Sequence, residues 1–180
     1  MKKEDANALF LDDTARFILD VTAFKIPTGT HHYYNVTFKH SPYPNPKDSL
    51  DIMLIVKDTK GLDPEIVVGQ TRELIKRSKV AKKLNVTRIV TYKQLREDYA
   101  TFEQKRGLVK TVDCIFGERD IYVGLPAFLG REFQKRKKFP VCIPGRGFPK
   151  HDLGEQILFA LKKSVFNLSL KGKTSSFVVS

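Results

Sequence analysis

The chain has 180 residues, of which 32 are Lys or Arg and 20 are Asp or Glu, so its formal net charge is +12. This charge excludes an acidic, self-solvating protein, and a hydrophobic share of 41% excludes wholesale disorder. No apolar run approaches the about 20 residues that a membrane helix needs, and the N-terminus lacks the apolar core of a secretory signal. We therefore expect a soluble, intracellular protein of one large or two small domains.

The first 50 residues predict two strands followed by a domain boundary. Residues 17–24 (FILDVTAF) are apolar and rich in β-formers, and residues 33–38 (YYNVTF) alternate apolar with polar side chains. We expect these two strands to be antiparallel. Residues 40–47 (HSPYPNPK) hold three prolines, which neither a helix nor a central strand tolerates, so the chain is expected to cross between domains there.

The middle of the chain alternates strands with helices. Residues 51–56 (DIMLIV) predict a strand buried on both faces, and Asp63 with Pro64 predicts the start of a helix towards Lys79. A second strand is predicted at 85–92 and a third at 112–116. Between them Thr91 caps a predicted helix, whose apolar positions are Leu95, Tyr99, Phe102 and Val109.

A third helix and an edge strand complete this region. One helical face is predicted from Ile121, Leu125, Phe128, Leu129 and Phe133. Residues 139–143 (FPVCI) predict an edge strand, because Pro140 cannot donate to a ladder. The alternation of strand and helix predicts parallel strands joined by right-handed crossovers in a small Rossmann-like layer.

The C-terminal segment predicts a second crossing, a helix and a hairpin. Residues 144–147 (PGRG) are irregular, residues 151–163 form an amphipathic helix, and residues 171–174 (KGKT) lie between two strands. Strand-rich pieces therefore lie outside both crossings. We predict a split α+β domain made of residues 1–42 and 146–180, with residues 43–145 inserted into it as the Rossmann-like domain.

The surplus positive charge is concentrated in two runs. Residues 72–93 have only Glu73 as an acid, and residues 131–150 have only Glu132. Such a surplus favours a polyanionic partner, because each neutralised phosphate releases counterions, although solvated faces are the alternative. The basic members are Arg72, Lys76, Arg77, Lys79, Lys82, Lys83, Arg88 and Lys93 in the first run, and Arg131, Lys135, Arg136, Lys137, Lys138, Arg146 and Lys150 in the second.

The sequence offers no pattern for a metal, a cofactor or catalysis. Cys114 and Cys142 lie in apolar runs typical of buried free thiols, and no histidine has zinc-ligand spacing to them. Val56 is followed by KDTKGLDPE, which lacks the glycine pattern of a dinucleotide or phosphate loop. Glu103 and Lys105 have the spacing of some nucleases but lie in a predicted helix. We expect no cofactor, no metal and no enzyme activity.

Several motifs resemble the nucleolar branch of the ribosomal protein L1 family. They are the apolar strand 112–116 followed by Asp120-Ile121, residues 125–143 (LPAFLGREFQKRKKFPVCI), residues 99–106 (YATFEQKR), residues 24–27 (FKIP) and residues 40–42 (HSP). The resemblance covers residues from about 15 to 180, and the block from Leu125 to Val141 is its most specific part. It implies a two-domain α/β protein of the ribosomal L1-like fold, whose discontinuous first domain grips structured rRNA.

The resemblance also implies where RNA would bind and who the partners are. We expect the last hairpin to contact RNA through Lys171, Gly172, Lys173, Thr174 and Ser175, with Gly172 allowing close backbone approach. If the termini pair, Lys39, His40 and Arg146 lie near this hairpin and add contacts. The charge run gives a further group, Arg131, Lys135, Arg136, Lys137 and Lys138, which contacts RNA or a partner unless it is only a solvated helix end. The hairpin tip has no Thr-Met-Gly, since only the glycine of that family motif is present.

The implied function is a non-catalytic rRNA or pre-rRNA-binding ribosome assembly factor of the nucleus and nucleolus, monomeric outside the pre-ribosomal particle. Its expected partners are rRNA and pre-ribosomal assembly factors, without a membrane. Two alternatives stay open. One alternative is a protein-interaction scaffold within pre-ribosomal particles, whose charge gives only nonspecific RNA affinity. The other is a structural ribosomal stalk protein.

Overall fold

The structure is a computed structural model that describes residues 17–22, 24–26, 33–41, 50–136, 138–147, 152–167 and 174–179. The strands are β1 (Phe17–Thr22), β2 (Tyr33–Thr37), β3 (Ile52–Val56), β4 (Val86–Thr91), β5 (Cys114–Glu118), β6 (Val141–Ile143), β7 (Lys163–Asn167) and β8 (Thr174–Val179). The helices are α1 (Pro64–Arg77), α2 (Tyr92–Asp98), α3 (Phe102–Thr111), α4 (Arg119–Tyr122), α5 (Leu125–Leu129), α6 (Arg131–Lys135) and α7 (Leu153–Ala160), with a 3-10 helix at Ala81–Lys83.

A four-stranded parallel sheet in the order β4-β3-β5-β6 forms the centre of residues 35–165. The predicted parallel pairing is confirmed, and β6 lies at one edge as Pro140 indicated. In the register of β3 and β5, Leu54 lies opposite Phe116. The chain passes from β3 to β4 on one side and later places β5 on the other side of β3. The strand order therefore reverses between β3 and β5.

Alternating side chains of the sheet build two cores, one on each face. Leu54 and Phe116 belong to a core shared with α1 and α7, whereas Met53 and Ile115 belong to a core shared with the helices from α2 to α6. All five residues of β3 and all five of β5 are buried, which is why β3 is a continuous apolar run and β5 is one except for Glu118 at its end. The result is a mixed α/β structure with helices on both faces of a parallel sheet.

The helix after β3 begins as predicted, with Asp63 at the N-cap and Pro64 at the first position. It ends at Arg77. The predicted single helix between the second and third strands is wrong, because α2 and α3 are separate. Thr91 caps α2 in a capping box with Gln94, and Thr101 caps α3 in a second box with Gln104. The second Thr-x-x-Gln pattern starts a new helix.

The predicted continuous helix over residues 121–133 is also wrong, since α4, α5 and α6 occupy this stretch. Gly130 separates α5 from α6 with φ +71° and ψ −160°, a backbone conformation that is essentially restricted to glycine. The apolar periodicity persists because Leu125, Leu129 and Phe133 all pack into the same core. The apolar periodicity therefore shows which side chains face the core. It does not show whether the helix is continuous, because the side chains still face the core after the helix breaks.

The remaining strands pair between distant parts of the chain. β1 pairs with β8 in antiparallel register, so that Thr22 lies opposite Thr174, and β2 pairs with β7. The two N-terminal strands therefore have partners near the C-terminus. Among the described residues, β1 and β2 are not paired with each other as the expected antiparallel pair, and β7 and β8 are not paired with each other as the expected hairpin. The chain divides into two compact units, residues 1–34 with 166–180 and residues 35–165. The domain boundaries expected from sequence, 1–42 with 146–180 and 43–145, stay a prediction.

The C-terminal helix is shorter than predicted, and β7 begins at Lys163. Within the described ranges, no helix is long and apolar enough to cross a membrane, and no group of His, Cys, Asp or Glu side chains is arranged to hold a metal ion. Both cysteines are free thiols; Cys114 is buried, whereas Cys142 is partly exposed and less buried than expected.

Candidate nucleic-acid interface

The most tightly connected polar cluster lies where β3, β5 and β6 end. Glu118, the last residue of β5, is buried, and its side chain is 7% exposed. The backbone N–H of Lys57 donates to Glu118 Oε2 at 2.7 Å, and the backbone N–H and Nε of Arg146 both donate to Glu118 Oε1 at 3.0 Å. A second guanidinium nitrogen of Arg146 donates to the carbonyl oxygen of Lys57. Glu118 therefore ties the end of β3 to the crossing after β6.

Gly145 makes this close approach possible. Its φ is +98°, and a Cβ built on it would lie 2.9 Å from Glu118 Cγ, so a larger residue would be strained and crowded. Gln156 of α7 fixes the same residue, accepting from the Gly145 N–H at 2.9 Å and donating to its carbonyl at 3.2 Å. The irregular Pro-Gly-Arg-Gly segment is thus held between β5 and α7 by side-chain hydrogen bonds.

An exposed ion pair lies beside the buried cluster. Lys57 Nζ and Asp120 Oδ2 are 2.7 Å apart. The hydrogen bond and the charge of Asp120 raise the pKa of the Lys57 ammonium, and the same contact lowers the pKa of the Asp120 carboxyl. Both shifts favour the charged forms, so the pair stays ionised across the physiological pH range.

This edge of an α/β sheet, at the point where strand order reverses, is where doubly wound proteins bind their ligands. In this chain the backbone donors of Lys57 and Arg146 that face the edge are used by the carboxylate of Glu118. A phosphate brought to the same donors would have to displace a buried carboxylate that has a guanidinium partner. The arrangement is a structural junction, and it gives Arg146 an internal role.

The predicted run from Arg131 to Lys138 divides into exposed and engaged residues. Arg131, Lys135 and Arg136 are exposed, with Lys135 Nζ 3.5 Å from Glu132 Oε1. Lys138 Nζ donates to the carbonyls of Val109, at 3.0 Å, and Val112, and lies 3.5 Å from Asp113 Oδ1.

Lys138 therefore satisfies carbonyls at the C-terminal end of α3, a position where a cation also suits the helix dipole. Its side chain is 23% exposed. Lys137 lies outside the described residues. The run from Arg131 to Lys138 has five cations and one acid, and the described cations differ in their contacts.

The predicted residues Lys39 and His40 are exposed and follow β2. Their backbone runs beside the segment between α7 and β7, because Phe38 N–H donates to the Lys162 carbonyl at 2.8 Å. The side chains of both predicted residues are therefore presented to solvent from an anchored segment. No acid pairs with either of them within the described ranges.

The predicted hairpin contacts are only partly described. Thr174 begins β8, is exposed, and its hydroxyl lies 3.3 Å from that of Thr22 on the paired strand. Ser175 lies in β8 opposite Val21. Lys171, Gly172 and Lys173 lie outside the described residues.

Glu118 is the residue that the sequence analysis missed. The available signal was a carboxylate directly after the buried strand residues 114–117, since a buried acid needs a charged partner or several hydrogen bonds. Asp113 and Asp120 flank the same strand, and periodicity does not distinguish which of the three acids is buried. Arg146 was identified as a cation, but its partner depends on the chain crossing after β6.

The sequence matches a known protein family over nearly its whole length. The sequence model described as "Ribosomal protein L1p/L10e family" matches residues 2–180. The chain belongs to the ribosomal protein L1 family, and the resemblance noted in its motifs is confirmed.

Three curated relatives are similar to this chain, and one of them is named for ribosome biogenesis. Ribosomal L1 domain-containing protein 1 of Mus musculus is 28% identical over 97% of this chain, and a ribosomal L1 domain-containing protein of Drosophila melanogaster is 28% identical over 96%. A Schizosaccharomyces pombe protein named for ribosome biogenesis is 26% identical over 81%. The chain spans 36%, 24% and 35% of the length of these three relatives, respectively. Its family and the names of its relatives support a ribosome-related role.

Proposed function

We propose that this chain is a non-catalytic RNA-binding module of a ribosome assembly factor that contacts structured rRNA or pre-rRNA. The observation that carries the proposal is the family match over residues 2–180, and the net charge of +12 gives it a physical basis. One relative is itself named for ribosome biogenesis. The proposed partners are rRNA and pre-ribosomal assembly factors, the proposed location is the nucleolus, and the module is monomeric outside the particle.

The proposed architecture is a split α+β domain, residues 1–42 with 146–180, into which a Rossmann-like domain of residues 43–145 is inserted. The antiparallel pairing of β1 with β8 supports a domain built from both ends of the chain. The parallel sheet with helices on both faces supports a Rossmann-like insert.

The proposed RNA contacts fall into two groups. The first group consists of the exposed side chains of Lys39, His40, Arg131, Lys135 and Arg136. The second group is residues 171–175, the hairpin tip predicted from sequence. Hydroxyls and lysines of this kind bind phosphate and sugar oxygens, which orient a protein on its RNA. Arg146 and Lys138 contribute indirectly, because their internal hydrogen bonds hold the segments that carry other contacts.

Filter binding tests the proposal directly. The chain and an unrelated protein of similar pI are titrated with structured rRNA fragments over a series of salt concentrations. We expect the chain to bind a subset of fragments at least tenfold more tightly than the others at physiological salt. Equal affinity for all fragments, with the salt slope of the unrelated protein, would remove specific recognition from the proposal.

A pair of variants tests the hairpin assignment. Lys171→Glu with Lys173→Glu places two repulsive charges at the proposed contact, and we expect at least tenfold weaker binding. Lys60→Glu with Lys110→Glu changes the net charge equally at exposed positions outside the proposed contacts. Equal weakening in both double variants means that total charge acts alone, and the hairpin assignment is then wrong.

A protein-interaction scaffold is the second candidate, and exposed apolar side chains in α1 and just before it favour it. Leu62, Ile66 and Leu74 are between 39% and 47% exposed. Leu74 also lines a groove of about 820 Å³ beside the junction at Glu118. We expect Ile66→Gln with Leu74→Gln, which leave the net charge unchanged, to abolish RNase-resistant capture of assembly factors if this candidate is right, with RNA affinity unchanged.

A further inference from the structure

Six cations lie on α1 and the turn after it, and most of them have no ion-pair or hydrogen-bond partner among the described residues. The surface, named here the α1-end surface, consists of Arg72, Lys76, Arg77, Lys79, Lys82 and Lys83, all of which are exposed. Lys76 pairs with Glu73 at 3.1 Å. Within the described part of the chain, the other five make no ion pair and no side-chain hydrogen bond. These cations are free to meet an external anion.

The segment beneath the α1-end surface is fixed. Thr71, Ile75, Ser78 and Leu84 are buried and alternate with the exposed cations. The turn after α1 packs tightly against α7, since a Cβ built on Gly154 would lie 2.5 Å from Ser78 Oγ. A bound ligand would therefore order only the lysine and arginine side chains, and no backbone ordering would weaken its affinity.

The sheet separates this surface from the rest of its basic run. Ile89 of β4 packs into the core that α1 shares, whereas Val90 packs against the opposite core. Arg88 donates to the Tyr99 hydroxyl at 3.4 Å on that opposite side, and Lys93 lies near Glu97 on α2. The basic residues between 72 and 93 are continuous in sequence but lie on two different surfaces. The surface with most of these cations ends at Lys83.

The charge exceeds what the helix itself uses. Cations at a helix C-terminus offset its dipole, but this effect falls off within the last turn, where Lys76 and Arg77 lie. Lys79, Lys82 and Lys83 lie beyond it, and no acid occurs between residues 74 and 83. Like charges this close repel one another, so an unliganded surface of this kind is unfavourable and a bound polyanion relieves it.

The surface also lacks the features of a protein-binding site. Among residues 72–83 the only exposed large apolar side chain is Leu74, which lines the groove beside the junction at Glu118. Protein interfaces are built around several buried aromatic or aliphatic anchors. The surface has no exposed aromatic ring on which a base would stack. The α1-end surface is therefore suited to contact phosphate groups and is not suited to recognise individual bases.

We infer that the α1-end surface is a second RNA-binding site, which contacts the phosphate backbone of structured RNA without reading its sequence. The inference rests on the proposed function and adds a site remote in sequence from the hairpin. Its effect on binding is therefore to raise affinity for any structured RNA, whereas selection among RNAs depends on the other contacts.

The test compares two triple variants of equal charge. Lys79→Gln, Lys82→Gln and Lys83→Gln remove three clustered cations, whereas Lys60→Gln, Arg96→Gln and Lys110→Gln remove three scattered, exposed ones. Affinity for an rRNA fragment is measured against salt concentration, and thermal melting checks the fold of both. We expect the clustered variant to reduce the magnitude of the salt slope by about 2 to 3, and the scattered variant by less than about 1.

Three outcomes overturn the inference. If both variants lose the same slope, net charge acts without a site. If the clustered variant binds as the parent chain does, the surface does not contact RNA. If it keeps its RNA affinity but loses an RNase-resistant protein partner, the surface binds protein. A parent chain that binds RNA no better than an unrelated basic protein rejects the proposed function, so the two failures are distinguishable.

Discussion

At the scale of single residues, Glu118 is the side chain on which the junction at the sheet edge depends. It accepts hydrogen bonds from two backbone N–H groups and from a guanidinium that is 18% exposed. We expect Glu118→Gln to lower the free energy of unfolding by about 2 kcal/mol, because a largely buried Arg146 then lacks its counter-charge. Urea denaturation followed by circular dichroism measures the change.

Asp120→Asn is the matched control for that substitution, since it removes a neighbouring carboxylate that is exposed. We expect its unfolding midpoint to stay close to that of the parent chain, because exposed ion pairs contribute little. If Asp120→Asn is as destabilising as Glu118→Gln, the stability comes from general charge balance at this edge and the junction is not its source.

Cys142 gives a residue-scale prediction that depends on pH. Burial raises the pKa of its thiol, and the nearby charges of Arg119 and Lys163 offset part of that rise. A raised pKa means less thiolate at a given pH, so in a Cys114→Ala background the alkylation of Cys142 should increase with pH along a curve displaced above that of a free cysteine peptide.

Arg119→Gln separates the two causes. It removes a positive charge that favours the thiolate, so we expect the alkylation curve to move to still higher pH. Mass spectrometry of iodoacetamide-treated protein measures the rate. A curve that moves to lower pH, or one that coincides with the free peptide in the parent, would contradict this account of the site.

At the scale of elements, the break between α5 and α6 depends on Gly130. There is room for a Cβ at this position, since its nearest neighbour would be the Phe128 carbonyl oxygen at 3.9 Å. The obstacle to substitution is therefore the positive φ of the backbone. We expect Gly130→Ala to destabilise the chain by about 1 to 3 kcal/mol. Thermal and urea unfolding provide the measurement.

Gly107 is the control for this substitution, since it lies inside α3 with open space around it and ordinary helical backbone. Gly107→Ala should stabilise the chain by about 0.5 to 1 kcal/mol, because alanine favours the helix and restricts the unfolded chain. The two glycine substitutions thus have opposite signs. Two losses of equal size would mean that Gly130 is not specially required.

Comparison of the predicted and observed elements shows which features of the fold are determined by local sequence. Strand–helix alternation predicted the parallel sheet, because continuous apolar runs and Pro64 are local signals. The breaks at Thr101 and Gly130 were missed because apolar periodicity follows the core, which is shared across both breaks. The Thr101 capping pattern was readable, whereas the conformation of Gly130 depends on packing.

The sequence shows which residues of the candidate site are positively charged, but it does not show which of them are exposed for contact. Lys138 and Arg146 carry the charge that the sequence assigned to RNA, but carbonyls and Glu118 from distant segments engage them. Lys79 and Lys82 were not among the expected RNA contacts, and they are exposed without internal partners among the described residues. Exposure depends on tertiary contacts, which a count of basic residues does not contain.

At the scale of the whole molecule, we expect α7 to decide where an independently stable unit ends. Leu153, Ile157, Ala160 and Leu161 are buried in the core that α1 and the central sheet share. Burying a Leu or Ile side chain stabilises by about 1.5 to 3 kcal/mol. Losing three of them removes an amount comparable to the roughly 5 to 15 kcal/mol that holds a typical domain folded.

Two fragments test this boundary. Residues 35–165 keep α7, whereas residues 43–145, the insert expected from sequence, lack it. We expect the longer fragment to unfold in one cooperative transition, and the shorter one to bind a hydrophobic dye and to melt without cooperativity, because it exposes the surface that α7 covers. A fragment of residues 43–145 that unfolds cooperatively at the midpoint of the longer one would show that α7 is dispensable, and the sequence-based boundary would then be the better description.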